Sequence, residues 1–273
     1  MRVLQRLYGN LAAGLRALIR PARISPQRRT PLWPVKGWIV FAAAATLLII
    51  VGSMLLVDVS LITYARGLPA WLRQTFEWIT LFGTAGWFLW PAGILLLVIA
   101  ASPWSKLTRF SQGVLAAISV RLGFIFFAIA VPVLAVAIIK RLIGRARPSV
   151  WDVTDPYSYE PLIFAPDYTS MPSGHTTNAF AVAIAIGAVF PMARLPMWIF
   201  ALVIAGSRVI VDAHFPSDVV AGAVVGTAGA LLVRSWFAAR RFGFTVGSDG
   251  VIHRLPGPSW RRVKDIAGRL VGP

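Results

Sequence analysis

The 273-residue chain is 57% hydrophobic and 14% charged, with a mean hydropathy of +0.72, which excludes an ordinary soluble globular domain and places it in a bilayer. Its formal charge of +17 gathers at the two ends and in a few short segments, as membrane topology requires; with no basic face carrying stacking aromatics and no known binding motif, nucleic acid is not among the expected partners. The absence of cysteine removes disulfides, thiolate-bound zinc and a thiol nucleophile.

Ahead of Asp58, the first acidic residue, stand Arg2, Arg6, Arg16, Arg20, Arg23, Arg28, Arg29 and Lys36. Organellar transit peptides share this bias. Leu4, Leu7, Leu11, Leu15 and Leu18, however, recur at helical spacing with arginines between them, and residues 1–36 are read as a basic amphipathic cytoplasmic segment. The first apolar run, Gly37 to Val57, is long enough to span a bilayer, and no secretory signal precedes it. From Asp58 to Gly83, Leu68, Leu72, Phe76, Ile79 and Phe82 form a stripe opposite Arg73, Gln74, Glu77 and Thr80. This predicts a helix on the membrane surface, with Trp71 and Trp78 at headgroup level. Further spans are predicted at Thr84 to Ala101, Val114 to Ile139, Thr176 to Phe190, Leu195 to Val211 and Val219 to Leu232. The expected fold is thus an all-α polytopic membrane protein, a bundle of six transmembrane helices over residues 37–233, followed by a basic tail over 234–273.

Six spans put both termini on one side, and the arginine-rich ends make that side cytoplasmic. Ser102 to Arg121 then falls inside, and Ser149 to Met171, with Asp152, Asp155, Glu160 and Asp167, falls outside. Lys140, Arg141, Arg145 and Arg147 break the rule, because they collect at the outer end of the third span. Snorkelling at a helix end would account for them, and so would an anion site.

Lys140 and Arg147 are seven residues apart, nearly two helical turns, so both can point one way before Pro148 stops the helix. Pro172-Ser173-Gly174-His175 opens the fourth span, where Ser173 is a candidate N-cap and the free amides beside Gly174 can hold an anion. Ser207-Arg208, His214 and Asp218 cross from the fifth span to the sixth. Pro216 disfavours helix through His214, which leaves that histidine in the turn and Asp218 at the head of the last helix, close enough to bond the imidazole. Asp212 is expected to pair with Arg208 and carries no catalytic role. All three elements, placed by charge bias alone, end on the outer face.

In this order and around these spans, Lys-x6-Arg-Pro, Pro-Ser-Gly-His and Ser-Arg-x5-His-x3-Asp resemble the signature of the type-2 phosphatidic acid phosphatase superfamily. The resemblance covers Lys140 to Asp218 by motif and about Gly37 to Leu232 by plan. It implies that His214 attacks phosphorus to give a phosphohistidine, that Asp218 holds the tautomer of His214, and that His175 protonates the leaving oxygen and later activates water. It also implies that Lys140, Arg147 and Arg208, with the amides near Ser173 and Gly174, cradle the phosphoryl oxygens. No metal or other cofactor is expected. The implied substrate is a membrane lipid phosphate or diphosphate, such as phosphatidate, phosphatidylglycerol phosphate, a polyprenyl diphosphate or lipid A phosphate. A phosphotransferase with the same first half-reaction and a non-catalytic lipid transporter or scaffold are the alternatives. The vanadate-dependent haloperoxidases use a similar constellation but are soluble. Oligomeric state is not legible.

Overall fold

The computed structural model describes residues 2–22, 36–150 and 157–271; Arg23, Arg28, Arg29, Asp152 and Asp155 lie outside them. Among the described residues the helices are α1 (Arg2–Leu18), α2 (Lys36–Leu56), α3 (Asp58–Arg66), α4 (Ala70–Leu81), α5 (Gly86–Ala101), α6 (Arg109–Ile143), α7 (Gly174–Val189), α8 (Arg194–Ile210), α9 (Pro216–Ala239) and α10 (Trp260–Val271). One antiparallel pair, β1 (Phe244–Val246) and β2 (Ile252–Arg254), follows α9.

Gly37–Leu56, Ala70–Ala101, Arg109–Ile143, Pro191–Ile210 and Pro216–Ala239 are long and apolar enough to cross a membrane. α7 is a sixth apolar helix of 16 residues, about 24 Å of rise against a hydrocarbon core of about 30 Å. The protein is a multi-pass integral membrane protein. Several boundaries differ from expectation: α9 runs to Ala239 and not Leu232, and Ala70–Leu81, expected on the membrane surface, falls within the candidate span Ala70–Ala101. α6 begins at Arg109, so Arg121 lies within a helix and not in a loop; its guanidinium bonds the carbonyls of Ala117 (2.8 Å) and Leu255 (2.9 Å), which lets a charge occupy that position. The segment from Asp58 to Gly83 forms two helices and not one, because Gly67 and Pro69 interrupt it: Gly67 caps α3 and Pro69 precedes α4. Leu72, Phe76 and Ile79 are half-buried and Trp71 and Trp78 exposed, but Asp58 and Thr80, assigned no contact from sequence, are buried.

The chain divides into two compact units. The first comprises residues 1–32, 88–127 and 233–273 and holds 18 of the 27 Lys and Arg against two carboxylates, Asp249 and Asp265. Its interior gathers Phe124 edge-on against Phe237 and Phe244, at 5.5 and 4.7 Å between ring centroids, and Asn10 of α1 donates to the carbonyl of Ala100.

The second unit, residues 33–87 and 128–232, holds nine cations and eight carboxylates. Ala179 and Ala183 of α7 pack on Ala201 and Ile204 of α8, with Ile79 of α4 against them. α9 meets α7 and α6 through a seam of glycines. A Cβ on Gly222 would fall 2.5 Å from the Ser173 carbonyl, one on Gly226 would fall 2.3 Å from that of Thr177, and one on Gly229 would fall 2.7 Å from Pro132. Small residues at this spacing let helix backbones approach closely in a membrane, where van der Waals contact drives helix association.

Candidate active site

The C-terminal ends of α6 and α8 and the N-terminal ends of α7 and α9 carry the sequence-predicted residues, all within the second unit. α6 stops at Ile143 because Gly144 turns into the left-handed region (φ +64°), where a Cβ would collide with the Glu160 carbonyl. The chain then runs extended: Arg145 bridges Tyr159, the Ala146 amide donates to Ser158 (3.0 Å) and the Arg147 amide to Asp167 (2.7 Å). The two-turn helical relation of Lys140 and Arg147 is therefore corrected. Lys140 stands in the last helical turn and Arg147 beyond it, its Nε bonded to the Pro166 carbonyl at 3.0 Å. Burial holds the Arg147 guanidinium below its ordinary pKa, against the carboxylates of Asp167 and Asp218.

Ser173 occupies the N-cap of α7 with extended backbone, but its hydroxyl does not cap the helix; it accepts a hydrogen bond from Thr176 Oγ1 at 3.0 Å. Its amide donates to the Asp218 carbonyl (3.0 Å), fastening the start of α7 to the start of α9. Lys140 Nζ lies 3.8 Å from where a Gly174 Cβ would stand, so the first two motifs meet. His175 is half-buried, with Gly83 behind its ring: a Cβ there would come to 3.0 Å from His175 Cδ2.

Arg208 is 6% exposed near the end of α8; it donates to Thr80 Oγ1 at 2.6 Å, and its Nε has no hydrogen-bond partner among the described residues. His214 lies in the turn before Pro216, as expected, its amide bonded to the Arg208 carbonyl. Asp218 stands within ion-pair reach of the imidazole, but His214 Nδ1 lies 3.9 Å from Asp218 Oδ2, longer than a hydrogen bond. Ser170 lies at that junction, 2.5 Å from Asp218 Oδ2 and 3.5 Å from His214 Nδ1. Asp218 Oδ2 also accepts from the Phe215 amide (3.0 Å), and Oδ1 accepts from Arg145 (2.7 Å). Burial pushes His214 down to about 4, outweighing the pull of Asp218. Asp212 pairs with Arg66 (2.9 Å) and not with Arg208, because a left-handed turn at Asp212 (φ 55°) directs it away from α8.

Sequence reasoning missed Asp58, Ser170 and Thr80, and placed Arg145 only in the cationic cluster, without its carboxylate partners. Arg145 is 1% exposed and bonded to both Asp218 and Asp58, whose attraction outweighs burial and raises its pKa. The available signal was Asp58 itself, a lone carboxylate at the end of an apolar run, where a charge needs a partner. The fields of Arg208, His214, Lys140 and Arg147 all act on His175, and those of Asp218, Arg208 and Arg147 on His214. Two histidines, one carboxylate and three cations thus share one site. Among the described residues no group of three or more His, Asp or Glu could hold a metal ion.

A family model described as the PAP2 superfamily matches residues 121–242. The lipid A 1-phosphatase of Rhizobium johnstonii is 31% identical over 207 residues, 75% of this chain and 83% of its own length. The chain belongs to the PAP2 superfamily. As a PAP2 protein it is a phosphoric-ester hydrolase of the membrane, in agreement with the resemblance carried by its three motifs. The decaprenylphosphoryl-5-phosphoribose phosphatase of Mycobacterium tuberculosis is 34% identical over 115 residues, 40% of this chain and 55% of its own length. Among solved PAP2 structures, the phosphatidylglycerolphosphate phosphatase of Bacillus subtilis matches with a TM-score of 0.48 at 18% identity, covering 71% of this chain and 94% of its own.

Proposed function

We propose that the protein removes a phosphate from a membrane lipid in two steps through a phosphohistidine at His214. The observation that carries this is the convergence of His214, His175 and Asp218 with Lys140, Arg147 and Arg208 at one end of the second unit. Lys140, Arg147, Arg208 and the amides at the start of α7 hold the three non-bridging oxygens, and the unpartnered Nε of Arg208 is a donor ready for one of them. Neutral His214 forms a nitrogen–phosphorus bond as the bond to the lipid oxygen breaks, and that oxygen takes the proton of His175. Water then gives a proton to His175 and attacks phosphorus, which releases His214 and free phosphate. Gly174 presents its backbone amide, whereas the Ser173 amide is held by the Asp218 carbonyl and the Ser173 hydroxyl, which accepts from Thr176, keeps its own hydrogen for a phosphoryl oxygen.

The site faces the extracytoplasmic side of a bacterial inner membrane in this reading, with both termini cytoplasmic and residues 37–233 as the catalytic domain. The excess of arginine at both ends supports it. Lipid A 1-phosphate heads the substrate panel, on the strength of the Rhizobium relative. Phosphate release by purified protein is measured with phosphatidate, phosphatidylglycerol phosphate, a polyprenyl diphosphate and lipid A, with chelator present. Release that survives chelation and vanishes in His214→Ala supports the assignment; trapping as much phosphoenzyme in that variant as in the parent overturns it.

A further inference from the structure

In the second unit a chain of buried polar groups runs from the candidate nucleophile to a residue at the start of α3, and beyond His214 only Asp218 among its members is a motif residue. Asp58 is 1% exposed. Its Oδ2 accepts from Arg145 Nη2 (2.9 Å) and from the Ser217 hydroxyl (2.5 Å), and its Oδ1 accepts from the Ser217 amide (2.9 Å). The Arg145 guanidinium lies over the Phe215 ring at 4.3 Å and reaches Ser217 Oγ and Asp218 Oδ1, each at 2.7 Å. Two carboxylates and one guanidinium so closed off are costly to bury, and removing one partner leaves a buried charge uncompensated. An arrangement of that cost fixes geometry.

What it fixes is Asp218. Three donors hold its carboxylate: Arg145 on Oδ1, Ser170 and the Phe215 amide on Oδ2. Moving toward His214 to close the 3.9 Å gap would strain all three. The Ser170 hydroxyl has one proton, and at 2.5 Å from an acceptor-only carboxylate oxygen that proton goes to Asp218. The remaining lone pairs of Ser170 Oγ face His214 Nδ1 at 3.5 Å, a contact that is favourable only when Nδ1 carries the hydrogen. Nε2 is then left with its lone pair for phosphorus.

We propose that Ser170 is the residue through which Asp218 sets the tautomer of His214, and that Asp58 and Arg145 act behind it as positioning residues holding Asp218 in register. This rests on His214 as the nucleophile. None of the three touches the phosphoryl group; their effect reaches it through the orientation of one ring.

The test compares Ser170→Ala, Ser170→Thr and Asp58→Asn with the parent, using the same four lipids in detergent, with melting temperature recorded for each. Loss of the relay lowers kcat about 10- to 100-fold in Ser170→Ala with KM nearly unchanged, and Ser170→Thr, which keeps a hydroxyl, recovers at least part of it. Asp58→Asn, equal in shape, lowers kcat in the same sense. A second readout needs no turnover: with 15N-histidine labelling and assignment through His175→Gln and His253→Gln, His214 is the Nδ1–H tautomer in the parent and a mixture in Ser170→Ala. Folded Ser170→Ala with parental kcat and an unchanged His214 tautomer overturns the proposal. A parent that releases no phosphate from any of the four lipids, yet shows the tautomer change, removes the lipid phosphatase reading and leaves the relay standing.

Discussion

Replacing Gly222 by alanine tests whether helix contact alone sets the distance between the two halves of the site. The added Cβ would fall 2.5 Å from the Ser173 carbonyl oxygen, 3.2 Å from Thr176 Cβ and 3.3 Å from the Ser173 amide nitrogen, so nearly all the conflict is with backbone, which cannot turn aside. Ordinary contact begins near 3.4 Å, which leaves a shortfall of about 0.9 Å that α7 and α9 must open by separating. The Ser173 amide bond to the Asp218 carbonyl lies in that gap. Overpacking of this kind costs about 1–3 kcal/mol of stability. A displacement near 1 Å between His175 on α7 and the turn bearing His214 costs on the order of 100-fold in kcat, because reacting groups tolerate little misplacement. The assay is kcat on the best lipid of the panel, with melting temperature, beside Gly206→Ala, whose Cβ meets nothing within 4 Å. Equal kcat for Gly222→Ala and Gly206→Ala would refute the reasoning.

Burial sets the acid limb of kcat/KM near pH 4: His214 attacks only when neutral, its pKa is pushed down to about 4, and activity is lost as pH falls through that value. An acid limb at the 6.5 of a free imidazole would contradict the burial of the ring. Thr80→Val removes the 2.6 Å bond that aims Arg208, and is expected to lower kcat/KM about 10-fold, read in steady-state kinetics. Asp212→Asn breaks the partly exposed pair with Arg66, so stability stays within about 1 kcal/mol of the parent and kcat is nearly unchanged; a large loss of kcat would restore a catalytic role to Asp212.

The apolar helices and the three motifs were legible because bilayer length, proline and charge bias act locally along the chain. Pro216 placing His214 in a turn is the plainest case. The end of α6 was misread because Pro148 drew attention from Gly144, whose left-handed conformation is demanded by the backbone of Glu160, 16 residues away, which periodicity cannot reveal. Asp58 looked like the head of a surface helix. Its partners, Arg145 and Ser217, are 87 and 159 residues distant, and only the packed bundle brings them together. Ser170 carries no signal of its own, since a serine before a helix start is common and its bond to Asp218 spans 48 residues.

The near balance of nine cations and eight carboxylates in the unit that carries the site governs how phosphate is captured. Over distances beyond about 8–10 Å in physiological salt such a body projects little field, so its three cations act by touch. Encounter is left to the two-dimensional wandering of a lipid within its leaflet, and the released phosphate has only short-range bonds to break before bulk water takes it. On the proposed mechanism, the second unit by itself gives up long-range recruitment in favour of easy product escape.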